Sequence, residues 1–134
     1  MILADTSAWV EFDRATESPV DRRLTGLIET AGPLAVTEPV AMEVLAGARD
    51  RRREEELRRL LARFSLIPFE SVADFEGAAR IYRRSRAAGV TPRGLIDCMI
   101  VAVALRAGAA LLACDRDIEL VAAAVGVEID QPPA

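Results

Sequence analysis

Short apolar runs alternate along the chain with longer segments in which apolar residues recur every three or four positions. The short runs predict buried strands, and they are apolar throughout instead of alternating with polar residues. Such runs are typical of a parallel sheet covered on both faces by helices. We therefore predict an α/β fold, a three-layer α/β/α sandwich with a short, mostly parallel central sheet, in one domain over residues 1–134. The predicted strands are "MILA" (1–4), "LAVT" (34–37), "AALLAC" (109–114) and "VEI" (127–129), and "SLIPF" (65–69) is either a short strand or an extended link.

The longer segments predict helices, whose starts are marked by capping residues and by prolines at the first helical position. One of them, within residues 49–64, is highly charged and carries a single apolar stripe from Leu57 to Phe64. The predicted starts of the other helices include Ser18 before Pro19, Glu38 before Pro39, Ser71 with Asp74 as a capping box, and Thr91 before Pro92.

Asp97 stands inside "GLIDCMIVAVAL" (94–105), a helical segment that is otherwise apolar on nearly every side. An unpaired buried carboxylate would cost more free energy than a small domain can lose. Arg106 lies nine positions further on and points about 180° away, so it cannot neutralise Asp97. Arg93, four positions before Asp97, could pair with it. If it does not, Asp97 needs a partner from outside its own helix.

Asp5 and Asp115 each follow a predicted strand. The carboxyl ends of parallel strands lie at one edge of a sheet, where open α/β folds build their sites. Each position also has a structural alternative, since Asp5, Asp115 or Asp117 could cap the helix that follows. Glu43 lies at the border of the apolar face of its helix, and it could equally be an ordinary solvated glutamate.

The composition restricts the chemistry of any site that these acids form. All 17 basic residues are arginine, histidine and lysine are absent, and the net charge is −4. An imidazole base, a Schiff base and a P-loop lysine are thereby excluded. Carboxylates gathered at about 4 Å would repel each other by about 4 kcal/mol per pair. A hard cation such as Mg²⁺ or Mn²⁺, which prefers oxygen ligands, removes that conflict.

Four motifs in this order make the chain resemble the PIN-domain ribonucleases, and more closely the toxins of VapBC toxin–antitoxin pairs. The resemblance covers essentially the whole chain and implies a single PIN domain, 1–134. Two positions depart from the commonest pattern of the family: Ala113 replaces a threonine, and Ile118 replaces a phenylalanine. Neither change removes an acid. The motifs are "DTSAWVE" (5–11), "TEPVAMEVLAG" (37–47), "RGLIDCMIVAVAL" (93–105) and "LLACDRDIELVA" (111–122).

The resemblance implies an endoribonuclease toxin that uses Mg²⁺ or Mn²⁺ to hydrolyse RNA phosphodiester bonds. It also implies a homodimer and a cognate VapB-type antitoxin that blocks the active site. Asp117 matches a supporting acid, and Thr6 or Ser7 matches a hydroxyl that orients ligands or water. The acids that match the catalytic and metal-binding quartet of the family are Asp5, Glu43, Asp97 and Asp115.

The sequence leaves open the role of its arginine residues and two alternative functions. The Arg-rich segment 49–63 is either a solvated helix with internal ion pairs or a surface for RNA or the antitoxin. Arg93 is our candidate for contacting a substrate phosphate. Alternatives to the nuclease are a PIN-like module that forms protein and DNA complexes without cutting, or a metal-dependent phosphatase. We expect a soluble, cytoplasmic protein of a bacterium or archaeon, with Cys98 and Cys114 as buried reduced thiols.

Overall fold

The computed structural model describes residues 1–131 and contains one sheet of four parallel strands flanked by helices. The spatial order of the strands is β3-β2-β1-β4, so that the first strand lies inside the sheet between β2 and β4. The α/β prediction is confirmed. The strands are β1 (Ile2–Ala4), β2 (Leu34–Val36), β3 (Ser65–Leu66) and β4 (Ala110–Leu112). The helices are α1 (Thr6–Asp13), α2 (Pro19–Glu29), α3 (Glu38–Ala46), α4 (Arg51–Leu61), α5 (Ser71–Ala87), α6 (Leu95–Ala107) and α7 (Arg116–Val125).

The core lies between the sheet and the helices that cover it. β1 and β2 are buried along their whole length, which explains why their sequences do not alternate. In α6 five consecutive residues, 100–104, are buried, because this helix packs against α5, α7 and α3. Register places Ile2 opposite Leu34 on one side and Ala110 on the other. The carboxyl ends of β1 and β4 therefore lie side by side at one edge of the sheet.

Two predicted helix starts are wrong in detail. α6 begins at Leu95 and not at Pro92, because Gly94 is extended (φ −164°, ψ 168°) and interrupts the helical path. Ser71 is the first residue of α5 and not its cap; the backbone N–H of Glu70 donates to Asp74 at 2.8 Å instead. By contrast, Ser18 caps α2 as predicted, accepting from the N–H of Asp21 at 3.1 Å.

Two further expectations need correction. The segment "VEI" does not form the predicted strand. It contributes a single parallel β-bridge, between Ile129 and Leu111. Cys98 is buried, but Cys114 is exposed, because it lies beyond the end of β4 where the edge of the sheet opens. Burial raises the pKa of the Cys98 thiol to about 11.

In the part of the chain that the structure describes, no helix is long and apolar enough to cross a membrane.

The Arg-rich helix α4 forms the internal ion pairs that its spacing predicts. Arg58 binds Glu54 at 2.9 Å and Arg52 lies 3.7 Å from Glu56, both one helical turn apart. The apolar stripe faces inward through Leu57 and Leu61, which are buried. These contacts fit the solvated-helix interpretation of the segment and leave its surface role to experiment.

Candidate active site

Four acidic side chains from four different elements line one cleft at the carboxyl edge of the sheet. Asp5 directly follows β1, and Asp115 lies between β4 and α7. Glu43 comes from the middle of α3, and Asp97 from the first turns of α6. The cleft has a volume of about 290 Å³. Its lining residues are Asp5, Thr6, Ser7, Val10, Glu11, Glu43, Arg93, Asp97, Cys114 and Asp115.

Asp5 caps α1, which was the structural alternative for this residue, and it also lines the cleft. Its Oδ1 atom accepts from the N–H of Ala8 at 3.2 Å and from the hydroxyl of Ser7 at 2.6 Å. Only 3% of the residue is exposed. Burial raises the pKa of Asp5 to about 7, with a smaller contribution from the negative charges of Asp97 and Asp115. Without a nearby cation, Asp5 therefore carries its charge at a substantial free-energy cost.

The two hydroxyls that follow Asp5 have separate partners. Thr6 donates through Oγ1 to Oε1 of Glu43 at 2.5 Å, which fixes the glutamate although it lies 37 positions away. Ser7 donates to Asp5 and accepts from the backbone N–H of Cys114 at 2.8 Å. The Ser7 hydroxyl thus joins the end of β4 to the start of α1. The family resemblance offers Thr6 or Ser7 as an orienting hydroxyl, and each of them donates to an acid of the cleft.

Asp97 is the least satisfied acid of the cleft. Its side chain is 13% exposed, and its Oδ2 atom is buried without a hydrogen-bond partner in the described part of the chain. Burial raises the pKa of Asp97 to about 6, and Arg93 opposes this increase. As predicted, Arg106 does not contact Asp97; it binds the buried Asp74 instead, at 2.9 Å.

Arg93 connects three acids at the mouth of the cleft. Its Nη2 atom donates to Oδ2 of Asp115 and lies 3.8 Å from Oδ2 of Asp97. Its Nη1 atom lies 3.8 Å from Asp117. The nearby negative charges, above all that of Asp115, raise the pKa of the Arg93 guanidinium. The predicted pair with Asp97 therefore exists, but the stronger contact is with Asp115.

Asp115 and not Asp117 caps α7. The Oδ1 atom of Asp115 accepts from the N–H of Asp117 at 2.9 Å, which leaves Oδ2 for Arg93. The Asp117 side chain is more exposed and lies outside the residues that line the cleft. Its position agrees with a supporting role, behind Asp115.

The residues of the cleft suit a hard divalent cation in their chemistry. Every candidate ligand is a carboxylate oxygen, and within the described residues one of these oxygens, on Asp97, is buried without a hydrogen-bond partner. Burial raises the pKa of both Asp5 and Asp97, so a cation in the cleft would favour their ionised forms. As the side chains stand, no group of three or more acids within residues 1–131 is close enough to hold an ion. Binding therefore requires these side chains to move together.

Comparison with known proteins agrees with this geometry. Residues 2–124 match the family model of the PIN domain. Over 123 residues the chain is 43% identical to VapC ribonuclease Mb1587 of Mycobacterium bovis and to ribonuclease VapC11 of Mycobacterium tuberculosis. In both cases the match covers 91% of this chain and 92% of the relative.

Solved structures show the same fold at low sequence identity. VapBC2 of Rickettsia felis, bound to a DNA fragment from its promoter, matches with a TM-score of 0.75 at 16% identity, over 97% of this chain and 98% of that one. VapC20 of Mycobacterium tuberculosis, a toxin that cleaves the Sarcin-Ricin loop, matches with a TM-score of 0.73 at 18% identity, over 99% and 100%. The curated matches cover nearly the whole of both chains, and with the family model they identify the chain: it belongs to the PIN-domain family, as a VapC-type ribonuclease toxin of a toxin–antitoxin system.

Proposed function

We propose that the chain is a Mg²⁺- or Mn²⁺-dependent endoribonuclease whose metal-binding and catalytic residues are Asp5, Glu43, Asp97 and Asp115. The observation that carries the proposal is that these four acids line one cleft, where an Asp97 oxygen is buried without a hydrogen-bond partner among residues 1–131. An ion bound there would activate water and stabilise negative charge on the scissile phosphate. Asp5 and Asp97, the two acids with raised pKa values, gain most from its charge.

The remaining polar residues position these acids or the substrate. Thr6 holds Glu43 and Ser7 holds Asp5 through short hydrogen bonds, which restrict the orientation of both carboxylates. Asp117 supports Asp115 through its backbone N–H and shares Arg93 with it. Arg93, mostly exposed at the mouth of the cleft, is placed to contact a phosphate of the RNA. The chain contains no histidine or lysine, so proton transfer depends on carboxylates and water.

The partners follow from the relatives. Solved neighbours include a toxin–antitoxin complex from Klebsiella pneumoniae and a DNA-bound VapBC from Salmonella typhimurium. We infer that this chain, as a single PIN domain over residues 1–134, likewise binds a VapB-type antitoxin. From the family resemblance we also propose that it forms a homodimer. An RNA substrate and such a partner would place it in the cytoplasm of a bacterium or archaeon.

The test compares the wild type with Asp97→Asn on a circularised RNA, which has no ends and is linearised only by an endonuclease. Glu76→Gln is the matched control, because it also converts a carboxylate to an amide but is exposed on α5, outside the cleft. With Mn²⁺, the wild type and the control should linearise the RNA at equal rates. Loss of a metal ligand should slow Asp97→Asn by about 100-fold or more, and a chelator should stop all cleavage.

Three outcomes contradict the proposal in different ways. Equal cleavage by Asp97→Asn and the wild type would remove the role assigned to Asp97. Cleavage that persists in excess chelator would remove the metal. If the wild type leaves RNA intact, hydrolysis of p-nitrophenyl phosphate supports a phosphatase, whereas binding to the antitoxin alone supports a module that no longer cuts.

A further inference from the structure

Arg93 holds an unusual position among the arginines of the chain. Its side chain is 62% exposed and comes from the segment between α5 and α6, outside regular secondary structure. Its guanidinium nevertheless contacts Asp115, Asp97 and Asp117 together. In the described residues, 1–131, the salt bridges of these three acids are all with Arg93.

The contacts of Arg93 coincide with the oxygens needed for the ion. Its Nη2 atom engages Oδ2 of Asp115 and lies 3.8 Å from Oδ2 of Asp97, the oxygen that lacks a hydrogen bond. Two positive groups at such short range repel each other, and a guanidinium beside a carboxylate weakens the attraction of that carboxylate for a cation. Arg93 and a divalent ion therefore compete for Asp115 and Asp97.

We propose that Arg93 is a built-in counter-cation of the metal-free cleft, which holds Asp115 and Asp97 until a divalent ion displaces it. The inference rests on the proposed metal-binding function and adds a regulation of that site. Arg93 is mostly exposed and precedes α6, so rotation about its side-chain bonds releases the acids without moving the helix. The displaced guanidinium stays at the mouth of the cleft, where it becomes free to bind an RNA phosphate. Metal entry and substrate binding are thereby coupled through one side chain.

The proposal is tested by titrating the whole protein with Mn²⁺ in a calorimeter, without RNA. We expect Arg93→Gln to bind Mn²⁺ roughly tenfold more tightly than the wild type, since the competing exposed ion pairs are gone. Arg116→Gln is the matched control: it removes the same charge from an exposed residue next to Asp115 that makes no ion pair in the described structure. Its dissociation constant should stay within about twofold of the wild-type value.

A thermal denaturation experiment gives a second readout. In the presence of EDTA, Arg93→Gln should melt below the wild type, because the acids lose their counter-cation. Saturating Mn²⁺ should raise the melting temperature of Arg93→Gln by more than that of the wild type, because stabilisation grows with affinity. Unchanged or weaker Mn²⁺ binding by Arg93→Gln overturns the proposal. So does equal tightening in Arg116→Gln, or the absence of Mn²⁺ binding in every variant.

Failure of this inference and failure of the nuclease assignment are distinguishable. A wild type that cuts RNA with Mn²⁺, while Arg93→Gln binds Mn²⁺ no more tightly, overturns the inference alone. Tighter Mn²⁺ binding by Arg93→Gln in a protein that leaves RNA intact supports the competition and overturns the nuclease assignment.

Discussion

Asp5→Asn should stabilise the metal-free protein at alkaline pH. Burial raises the pKa of Asp5 from 3.8 to about 7, so the folded state binds a proton that the unfolded state releases. The stability associated with that proton is complete below pH 3.8 and is lost as the pH rises to about 7. At about 1.4 kcal/mol per pKa unit, the ionised carboxylate costs the fold up to about 4 kcal/mol at pH 8.

The substitution keeps the hydrogen bonds that Asp5 accepts. The hydrogen bonds from Ser7 and Ala8 both reach Oδ1 of Asp5, and the carbonyl oxygen of an asparagine can accept both. Asparagine is also as good a helix cap as aspartate. The change therefore removes the buried charge and its repulsion by Asp97 and Asp115 while it keeps the cap.

The measurement is urea or thermal denaturation in EDTA between pH 4 and pH 8. Relative to the wild type, Asp5→Asn should gain stability progressively over this range, with a melting temperature about 10 °C higher at pH 8. Asp50→Asn is the control, because Asp50 caps α4 through its carboxylate but is exposed. It should show little change. Added Mn²⁺ should stabilise the wild type and not Asp5→Asn.

Two results would refute this reasoning. If Asp5→Asn is less stable than the wild type at pH 8 in EDTA, the buried charge of Asp5 does not destabilise the folded protein. If its gain is the same at pH 4 and pH 8, the gain does not come from ionisation of Asp5.

Three further predictions concern other contacts. Arg106→Gln should lower the free energy of unfolding by about 2–3 kcal/mol in urea denaturation, because it leaves the buried Asp74 carboxylate without its cation; an unchanged midpoint would contradict this. Thr6→Val should reduce the rate of RNA cleavage roughly tenfold at unchanged melting temperature, because Glu43 loses the hydrogen bond that orients it. Finally, a thiol reagent should modify Cys114 in the folded protein and the second cysteine after unfolding, as two separate steps in a spectrophotometric assay; simultaneous labelling would argue against the burial difference.

Much of the fold could be predicted because its signals are local. Uninterrupted apolar runs mark strands that are buried on both faces, and the cap at Ser18 is read directly from neighbouring residues. The start of α6 could not be predicted in this way. Thr91 and Pro92 carry a local signal for a helix start, but the extended backbone of Gly94 delays the helix until Leu95.

The candidate acids could be named from sequence, together with the possible pair of Asp97 with Arg93, but their long-range partners could not. Strand ends placed Asp5 and Asp115 at one edge, and the apolar surroundings of Asp97 singled it out. The pairing of Thr6 with Glu43, 37 positions away, depends on how α1 packs against α3. The contact of Ser7 with the backbone N–H of Cys114, 107 positions away, depends on how α1 lies against the end of β4. Spacing along the chain carries no information on such contacts.

The sequence by itself determined the order of strands and helices, the inventory of oxygen ligands and the absence of any imidazole or amine chemistry. Only the tertiary structure decided that Arg93 binds Asp115 more closely than Asp97, its neighbour in sequence, and that Arg106 is committed to Asp74. The physical reason is the range of the forces involved. Hydrophobic periodicity acts within a helix or strand, whereas an ion pair depends on the positions of whole elements, which are fixed by packing in the core.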